Sequence, residues 1–194
     1  MQLKNHAVDQ GKKVWLTSDE LTRFLATADT TPQKIAFGLG GRCGLRAAEI
    51  VAVTPPDIVE SQAGTFVRVW DGKGSKYRET PIPLGLAATI DAYADTRQED
   101  ADIPLVDRST RTMQRWVETA ANTLRATDND EGWKYLTSHD LRRTWGTLLV
   151  EDDVEPGMVM EWGGWEDWKT FREHYLGAYS MTKQQEERAK VSWL

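Results

Sequence analysis

Cysteine and histidine are scarce in this sequence: one cysteine, Cys43, and three histidines occur among 194 residues. A lone thiol excludes an internal disulfide and any zinc site built on cysteine ligands. No apolar run approaches the length of a membrane span, and the N-terminus lacks the basic and apolar stretches of a signal peptide. The sequence therefore predicts an intracellular protein without a membrane segment.

Positive charge is also in deficit, because 24 lysines and arginines face 30 acidic residues and leave a formal net charge of −6. This balance argues against a nonspecific coat protein for nucleic acid and is compatible with a local basic cleft on an acidic body. Basic residues crowd one short segment that contains Arg68, Lys73, Lys76 and Arg78. The distribution of charge is therefore more informative than its total.

The apolar content is sufficient for one sizeable domain, since hydrophobic residues make up 40% of the chain. Residues 1–14 are polar and lack periodicity, which predicts an arm or linker. Thr17 and Glu20 then have the spacing of a capping box at a helix start. Helices are predicted over 21–29, 32–39, from Arg46, over 84–96, 109–124, 138–148, 156–162 and 183–191, with Gly40 and Gly41 ending the second. Residues 165–177 are predicted to be a loop that enters a further helix, which Gly177 ends.

One stretch changes from helical to extended periodicity. Phe66–Trp70 is rich in β-branched and aromatic residues, 71–76 is typical of a turn, and Tyr77–Ile82 is extended again, which together predict a β-hairpin with cations at its tip. Gly72-Lys73-Gly74 is not a nucleotide phosphate loop, because the further glycine spacing and the following helix are absent. The predicted fold class is mainly α with a small antiparallel β-hairpin or sheet.

The predicted helix after Thr137 carries a histidine and an arginine near its start. Leu141 and Trp145 lie one turn apart and form an apolar stripe, whereas His139 and Arg142 emerge together on another side. A titratable ring beside a planar cation, close to a helix N-terminus, suits a phosphate group. The alternative is an ordinary solvated arginine face with an incidental histidine.

A second arginine, Arg46, starts a helix directly after Gly44. The first turn of a helix favours acidic residues, so an arginine is misplaced there unless an anion binds beside it. The alternative is a simple surface ion pair between Arg46 and Glu49.

Five short segments carry a resemblance when they are taken together: Gly44-Leu45-Arg46-Ala47-Ala48-Glu49, Gly72-Lys73-Gly74-Ser75-Lys76-Tyr77-Arg78, His139-Asp140-Leu141-Arg142, Gly163-Gly164-Trp165 and Tyr175. In this order and approximate spacing, they resemble the catalytic domain of the tyrosine recombinases, the phage-integrase and Xer-like family. The resemblance runs from about residue 15 to the end of the sequence. It implies the DNA breaking-rejoining fold for a catalytic domain over residues 15–194.

Members of that family usually carry an N-terminal helical core-binding domain that closes over the other face of the DNA. Residues 1–14 cannot supply such a domain, so we expect it to be absent from this chain. The chain is then either a fragment or a short form that borrows the missing half from a separate partner.

The chemistry of phosphodiester cleavage needs a nucleophile, charge stabilisation and a proton for the leaving oxygen. The sequence lacks carboxylates and histidines at metal-ligand spacing, so side chains must neutralise the charge and no cofactor is predicted. The resemblance implies that Arg46 and Arg142 clamp the phosphate and that Tyr175 attacks it. It also implies that His139 exchanges a proton with the nucleophile, and that the Trp165 indole donates a hydrogen bond to the phosphate.

The remaining roles follow from the same resemblance. Lys73 is the general acid for the 5′ oxygen, with Lys76 as the competing candidate. Glu49 supports the first arginine, and Lys76, Arg78 and Arg143 contact DNA.

Two assignments keep an alternative. Tyr175 lies one residue later than is common after Trp165, with His174 in the expected slot, and Tyr179 is the fallback nucleophile. For Trp165, which Trp162 and Trp168 flank at helical spacing, the alternative to a hydrogen bond with the phosphate is simple packing under the loop.

The function implied is that of a site-specific recombinase or integrase of mobile elements, which cleaves and rejoins DNA through a 3′-phosphotyrosyl intermediate without metal or ATP. Its partners would be double-stranded DNA and further copies of the chain, as a tetramer on paired sites, in a cytoplasmic, nucleoid-associated location. The alternatives are a catalytically silent DNA-binding relative and, less favoured, a metal-dependent nuclease. The predicted last helix docks either on a neighbouring copy or on its own domain.

Overall fold

A computed structural model describes residues 1–5, 11–72, 76–97, 100, 102–177 and 179–193 of the chain. These residues are mainly helical, as predicted, and none of their helices is both long and apolar enough to span a bilayer. The elements are β1 (Gln2–Asn5), β2 (Lys12–Trp15), α1 (Ser18–Ala26), α2 (Thr31–Cys43), α3 (Ala47–Ile50), a 3-10 helix (Pro55–Asp57), β3 (Ile58–Ser61), β4 (Gly64–Gly72), β5 (Lys76–Pro81), α4 (Leu84–Arg97), α5 (Thr110–Asp128), a 3-10 helix (Glu131–Tyr135), α6 (Ser138–Glu151), α7 (Pro156–Gly163), α8 (Trp168–His174) and α9 (Met181–Ala189).

The N-terminal residues differ from the arm predicted for 1–14. β1 and β2 pair antiparallel, with Gln2 opposite Trp15 and Leu3 opposite Val14, and the side chains of Val14 and Trp15 are buried. Residues 6–10, which belong to the same predicted arm, lie outside the described residues. Strands of four residues are too short to show periodicity, and β2 is held by side chains of α6 far along the sequence.

The predicted hairpin is confirmed as β4 and β5, which pair antiparallel with Phe66 opposite Pro81 and Arg68 opposite Glu79. A third strand, β3, pairs with the other edge of β4 and makes the sheet order β3-β4-β5. β3 escaped prediction because four residues are too few for an alternation to stand out. The predicted cationic tip at Lys73 lies outside the described residues.

The predicted end of the second helix at Gly40 and Gly41 is wrong, because α2 continues to Cys43. The two glycines instead allow close helix packing: a Cβ on Gly41 would lie 2.8 Å from a methyl of Leu21, and one on Gly40 would lie 3.2 Å from a methyl of Leu141. α2 ends at Gly44, whose φ of 68° is left-handed, which favours glycine.

The helix α6 joins the two parts of the hydrophobic core. Leu141 belongs to the larger cluster, formed chiefly by α1, α2, α5 and the sheet, whereas Trp145 belongs to a smaller cluster with Trp165 and Phe171 under α7 and α8. Because both halves of the core pack on this one helix, the side chains on its remaining faces have well-defined positions.

Candidate active site

Arg142 of α6 is fully buried. Its two terminal nitrogens donate hydrogen bonds to the backbone oxygens of Gly44 and Gly163. Burial, together with the positive charges of Arg46 and Arg78, lowers the pKa of Arg142 to about 9. The guanidinium is therefore costly to keep charged and is held by a defined set of acceptors.

The two carbonyls that hold Arg142 come from helix ends, where backbone oxygens lack helical partners and carry partial negative charge. Gly44 caps α2, and Gly163 is the last residue of α7. A Cβ would lie 2.2 Å from the ring of Trp145 at Gly44 and 2.1 Å from the ring of Trp165 at Gly163. Only glycine at both positions lets the two helix ends converge on one guanidinium.

Arg46 is held by Glu49, as the predicted supporting role requires. Its backbone nitrogen and its guanidinium each donate to the Glu49 carboxylate at 2.7 Å. Arg78 reaches the same carboxylate from β5, with hydrogen bonds of 2.9 and 2.7 Å, and donates a third to the oxygen of Trp162 at 3.0 Å. Burial raises the pKa of Glu49, but the hydrogen bonds from Arg78 and Arg46 outweigh it and lower the value to about 2.

This arrangement bears on the DNA contact predicted for Arg78. Its guanidinium is buried and directed at Glu49 and Trp162 instead of at the surface. The geometry therefore favours a role inside the domain. Arg143 is similarly buried and donates a hydrogen bond to Asp140, which also argues against a simple surface contact.

The structure places Tyr175 close to His139, Trp165 and Arg142. Its ring centroid lies 5.4 Å from that of His139 and 4.7 Å from that of Trp165, and the Arg142 guanidinium carbon lies 5.7 Å from it. Tyr179, the fallback candidate, is instead 54% exposed and lines a separate groove with Lys183.

His139 is uncharged at neutral pH in this environment. Burial lowers its pKa to about 4, with further contributions from Arg143, Arg142, Arg46 and Lys13, in that order. A neutral imidazole next to the Tyr175 ring is able to accept a proton.

Trp165 packs in the interior of the domain, and its predicted hydrogen bond to a phosphate stays a prediction. Its ring is 8% exposed, lies 4.6 Å from the Phe171 ring centroid, and covers the Arg142 guanidinium at 4.1 Å. Within the part of the chain that the structure describes, the Trp165 indole nitrogen and the Arg142 Nε are buried donors without a hydrogen-bond partner. Two such neighbouring donors are unusual in a native interior and indicate a place for an anion.

Arg46 and Trp165 line a common cavity of about 430 Å³ together with Arg78. Arg46 also contributes to the lowered pKa values of Arg142 and His139, so its charge acts on both of these side chains. Lys73 lies outside the described residues, as does the side chain of Lys76, so neither candidate acid is placed.

Sequence reasoning missed several neighbours of this site. Lys13 of β2 is largely buried and contributes to the low pKa of His139, and Trp15 donates a hydrogen bond to the backbone oxygen of Tyr175 at 2.7 Å. No local pattern marks these residues, because their partners lie far away along the chain. The spacing of Asp140 from Thr137 is that of a capping box, and this pattern was visible in the sequence. Asp140 accepts a hydrogen bond from the backbone nitrogen of Thr137 at 2.9 Å.

Fold, site and sequence agree on the class of protein. Residues 14–181 match the family described as the phage integrase family, and the chain therefore belongs to that family. Among curated relatives, tyrosine recombinase XerA of Thermococcus kodakarensis is 28% identical over 193 residues, which cover 98% of this chain and 67% of that protein. Tyrosine recombinase XerA of Thermococcus onnurineus is 27% identical and covers 91% of this chain and 62% of its own length.

Solved structures show the same fold. A XerA recombinase crystal structure superposes with a TM-score of 0.70 at 19% identity, over 91% of this chain and 64% of that one. The XerH site-specific recombinase in a post-cleavage complex with a palindromic difH substrate superposes with a TM-score of 0.73 at 18% identity, over 100% of this chain and 54% of that one. The chain thus spans only about three fifths of the length of such relatives.

Proposed function

We propose that this chain is the catalytic domain of a site-specific DNA recombinase or integrase that acts through a 3′-phosphotyrosyl intermediate. The observation that carries the proposal is the position of the Tyr175 ring, which lies against His139, Trp165 and Arg142 in one cluster. A phenol, a neutral imidazole and two guanidinium groups supply the nucleophile, the proton acceptor and the charge stabilisation of metal-free phosphoryl transfer.

In the proposed reaction, Tyr175 Oη attacks the scissile phosphorus and transfers its proton to the neutral imidazole of His139. The phosphorus–O5′ bond breaks, and the leaving oxygen takes a proton from Lys73 or from its alternative, Lys76. The new phosphotyrosyl bond keeps the energy of the broken one, so rejoining needs neither ATP nor a metal. Arg46 and Arg142 stabilise the negative charge that develops on the non-bridging oxygens.

The unpartnered donors support where the phosphate binds. The Trp165 indole nitrogen and the Arg142 Nε are buried, while the other Arg142 nitrogens are held by carbonyls. We infer that the phosphate accepts hydrogen bonds from these two donors and from the half-buried Arg46. The chain segments that cover the two donors must move before it binds. DNA binding then relieves the cost of burying donors without acceptors.

The proposed substrate is double-stranded DNA, and the proposed active form is a tetramer on paired sites, aided by a separate core-binding domain. The XerH recombinase is bound to a palindromic difH substrate in its post-cleavage complex, which supports the assignment by analogy. Recombination or the integration of mobile elements would place the protein in the cytoplasm, at the nucleoid.

The last helix bears on the assembly. Lys183 of α9 is buried and donates to Asp153 at 2.5 Å, while Trp193 beyond it is 81% exposed. α9 therefore contacts its own domain here, and exchange with a neighbouring copy requires its release. Sedimentation of the DNA complex, with and without residues 183–194, tests this: a monomer unchanged by the deletion contradicts exchange.

A nicked suicide substrate tests the reaction itself. We expect a covalent protein–DNA adduct in the presence of EDTA, its loss in Tyr175→Phe, and its persistence in the matched control Tyr179→Phe. Binding without an adduct would indicate a silent DNA-binding relative, and EDTA-sensitive cutting would indicate a metal-dependent nuclease. Loss of the adduct in Tyr179→Phe alone would identify Tyr179 as the nucleophile.

A further inference from the structure

Three buried polar side chains line one face of α6. Asp140, Thr144 and Thr147 follow one another at spacings of four and three residues, so they lie along the same side of the helix. Asp140 and Thr144 are fully buried, and Thr147 is nearly so. Buried polar groups need hydrogen-bond partners, and the partners of these three come from distant parts of the chain.

The first two residues hold the strand β2 and the residue after it. The backbone nitrogen of Val14 donates to Asp140 Oδ1 at 3.0 Å, and that of Leu16 donates to Thr144 Oγ1 at 3.0 Å. Donors two residues apart lie on one edge of an extended chain. α6 therefore binds this edge of the N-terminal segment through side chains, much as a neighbouring strand would through its backbone.

Trp15, between those two donors, reaches the segment that carries Tyr175. Its indole nitrogen donates to the backbone oxygen of Tyr175 at 2.7 Å. Thr147 donates to the same oxygen at 3.1 Å and accepts a hydrogen bond from the Gly177 nitrogen at 2.9 Å. Tyr175 is the C-cap residue of α8, where a carbonyl has no helical partner, so these two donors determine its orientation.

We propose that Trp15 and Thr147 are positioning residues, which hold the backbone of Tyr175 so that its ring meets His139 and Arg142. The inference rests on the proposed function of Tyr175 as nucleophile. His139, Arg142 and Thr147 all belong to α6, so one rigid helix carries the phosphate-binding groups and also the anchor of the attacking residue. Trp15 adds a second anchor from the N-terminal segment, whose position thereby affects the nucleophile.

The expected effect is on the rate of attack and not on DNA affinity, because neither residue supplies a phosphate contact. Displacing a reacting group by about 1 Å costs on the order of 100-fold in rate. Trp15→Phe removes the indole donor and keeps an aromatic ring. Thr147→Val removes the hydroxyl at nearly constant volume, whereas Thr147→Ser keeps it.

The matched control is Trp133→Phe. Trp133 is fully buried, like Trp15, and its indole donates to Asp128 at 3.0 Å, away from the cluster around Tyr175. It therefore reports the general effect of losing a buried indole hydrogen bond. Single-turnover adduct formation on the nicked substrate gives the rate, and fluorescence anisotropy gives the affinity for the same DNA.

We expect Trp15→Phe and Thr147→Val to slow adduct formation by about 10-fold or more with DNA affinity within about twofold. Thr147→Ser and Trp133→Phe should stay near the unmodified rate. The inference is overturned if Trp15→Phe reacts as fast as Trp133→Phe, or if Thr147→Ser is as slow as Thr147→Val.

Amide hydrogen exchange gives a readout that needs no catalysis. The Gly177 amide, which donates to Thr147, should exchange faster in both Trp15→Phe and Thr147→Val but not in Trp133→Phe. Unchanged exchange in the first two variants overturns the anchoring contact, whatever the activity. If the unmodified protein forms no adduct while the exchange responds as expected, the recombinase assignment fails and the anchor stands.

Discussion

Arg78 of β5 and Glu49 of α3 form a buried ion pair with two hydrogen bonds, of 2.9 and 2.7 Å, between guanidinium and carboxylate. The same carboxylate holds Arg46, so the sheet, α3 and the candidate phosphate-binding arginine are joined at one residue. Arg78 also binds the backbone oxygen of Trp162, close to Trp165. Two separate stretches of sequence thus meet at one carboxylate, and Arg78 joins a third stretch to them at Trp162.

Removing Arg78 should destabilise the fold strongly, because a buried carboxylate then loses its main partner. We expect Arg78→Ala to lower the free energy of unfolding by about 3 to 5 kcal/mol. The control is Arg68→Ala, whose pair with Glu79 is more than a third exposed on both sides and should contribute at most about 1 kcal/mol. Urea unfolding of both variants checks this, and equal losses would contradict the buried role.

The low pKa of His139 makes stability depend on pH. Its pKa is about 4 in the folded protein against an ordinary value of 6.5, so the unfolded chain binds the proton first. The contribution of neutral His139 to the free energy of unfolding is fully present above pH 6.5. About 2 to 3 kcal/mol of it is lost as the pH falls toward 4. Urea titrations should show this slope flattened in His139→Gln.

The same group can be observed directly. An NMR titration of the imidazole, assigned with His139→Gln, should give a midpoint near 4 in the free protein. A bound DNA phosphate should raise it, because negative charge favours the imidazolium. A midpoint near 6.5 without DNA would contradict the buried, cation-rich environment.

Gly44 should not tolerate a side chain. Its φ is left-handed, and a Cβ would lie 2.2 Å from the Trp145 ring, so we expect Gly44→Ala to cost at least about 2 kcal/mol. Gly85 in α4 has open space around it, and Gly85→Ala should stabilise by about 0.5 to 1 kcal/mol. Opposite signs in urea unfolding are the expected result, whereas two similar values would contradict this packing.

Substitutions of Trp165 separate packing from hydrogen bonding. Trp165→Ala should cost about 3 to 5 kcal/mol in the free energy of unfolding, because the ring covers Arg142 and packs on Phe171. Trp165→Phe should cost less, since it removes a buried donor that has no partner, yet it should still slow adduct formation. A full adduct rate in Trp165→Phe would leave packing as the role of this residue.

DNA binding by this chain alone should be weak, with a shallow dependence on salt. The net charge is −6, and several arginines near the site are engaged with carboxylates, so few phosphate contacts are available. Anisotropy titrations at increasing salt should give a shallow slope. Nanomolar affinity with a steep slope would show a more extensive basic surface than we expect.

Local signals predicted many element boundaries well. The capping box of Thr17 and Glu20 begins α1 and Ser109 caps α5, as expected. The end predicted at Gly40 and Gly41 failed because their use is close packing between helices, and a sequence does not show which neighbour a glycine faces.

The order of the motifs was sufficient for the family, and it also named the residues that now surround Tyr175. It did not predict which residues those side chains contact. Arg78 was expected to contact DNA and forms an ion pair with Glu49. Trp15 directly follows the predicted arm and donates a hydrogen bond to the Tyr175 carbonyl.

The sequence alone determined the class of fold, the helix starts and the residue types of the site, because capping, periodicity and motif order are local in the chain. Only the tertiary structure decided that Arg78 binds a carboxylate and that Arg142 binds carbonyls at helix ends. It also decided that Tyr175 is the tyrosine that lies near Arg142. Those choices depend on contacts between residues up to 160 positions apart, as for Trp15 and Tyr175, where burial makes each hydrogen-bond partner obligatory.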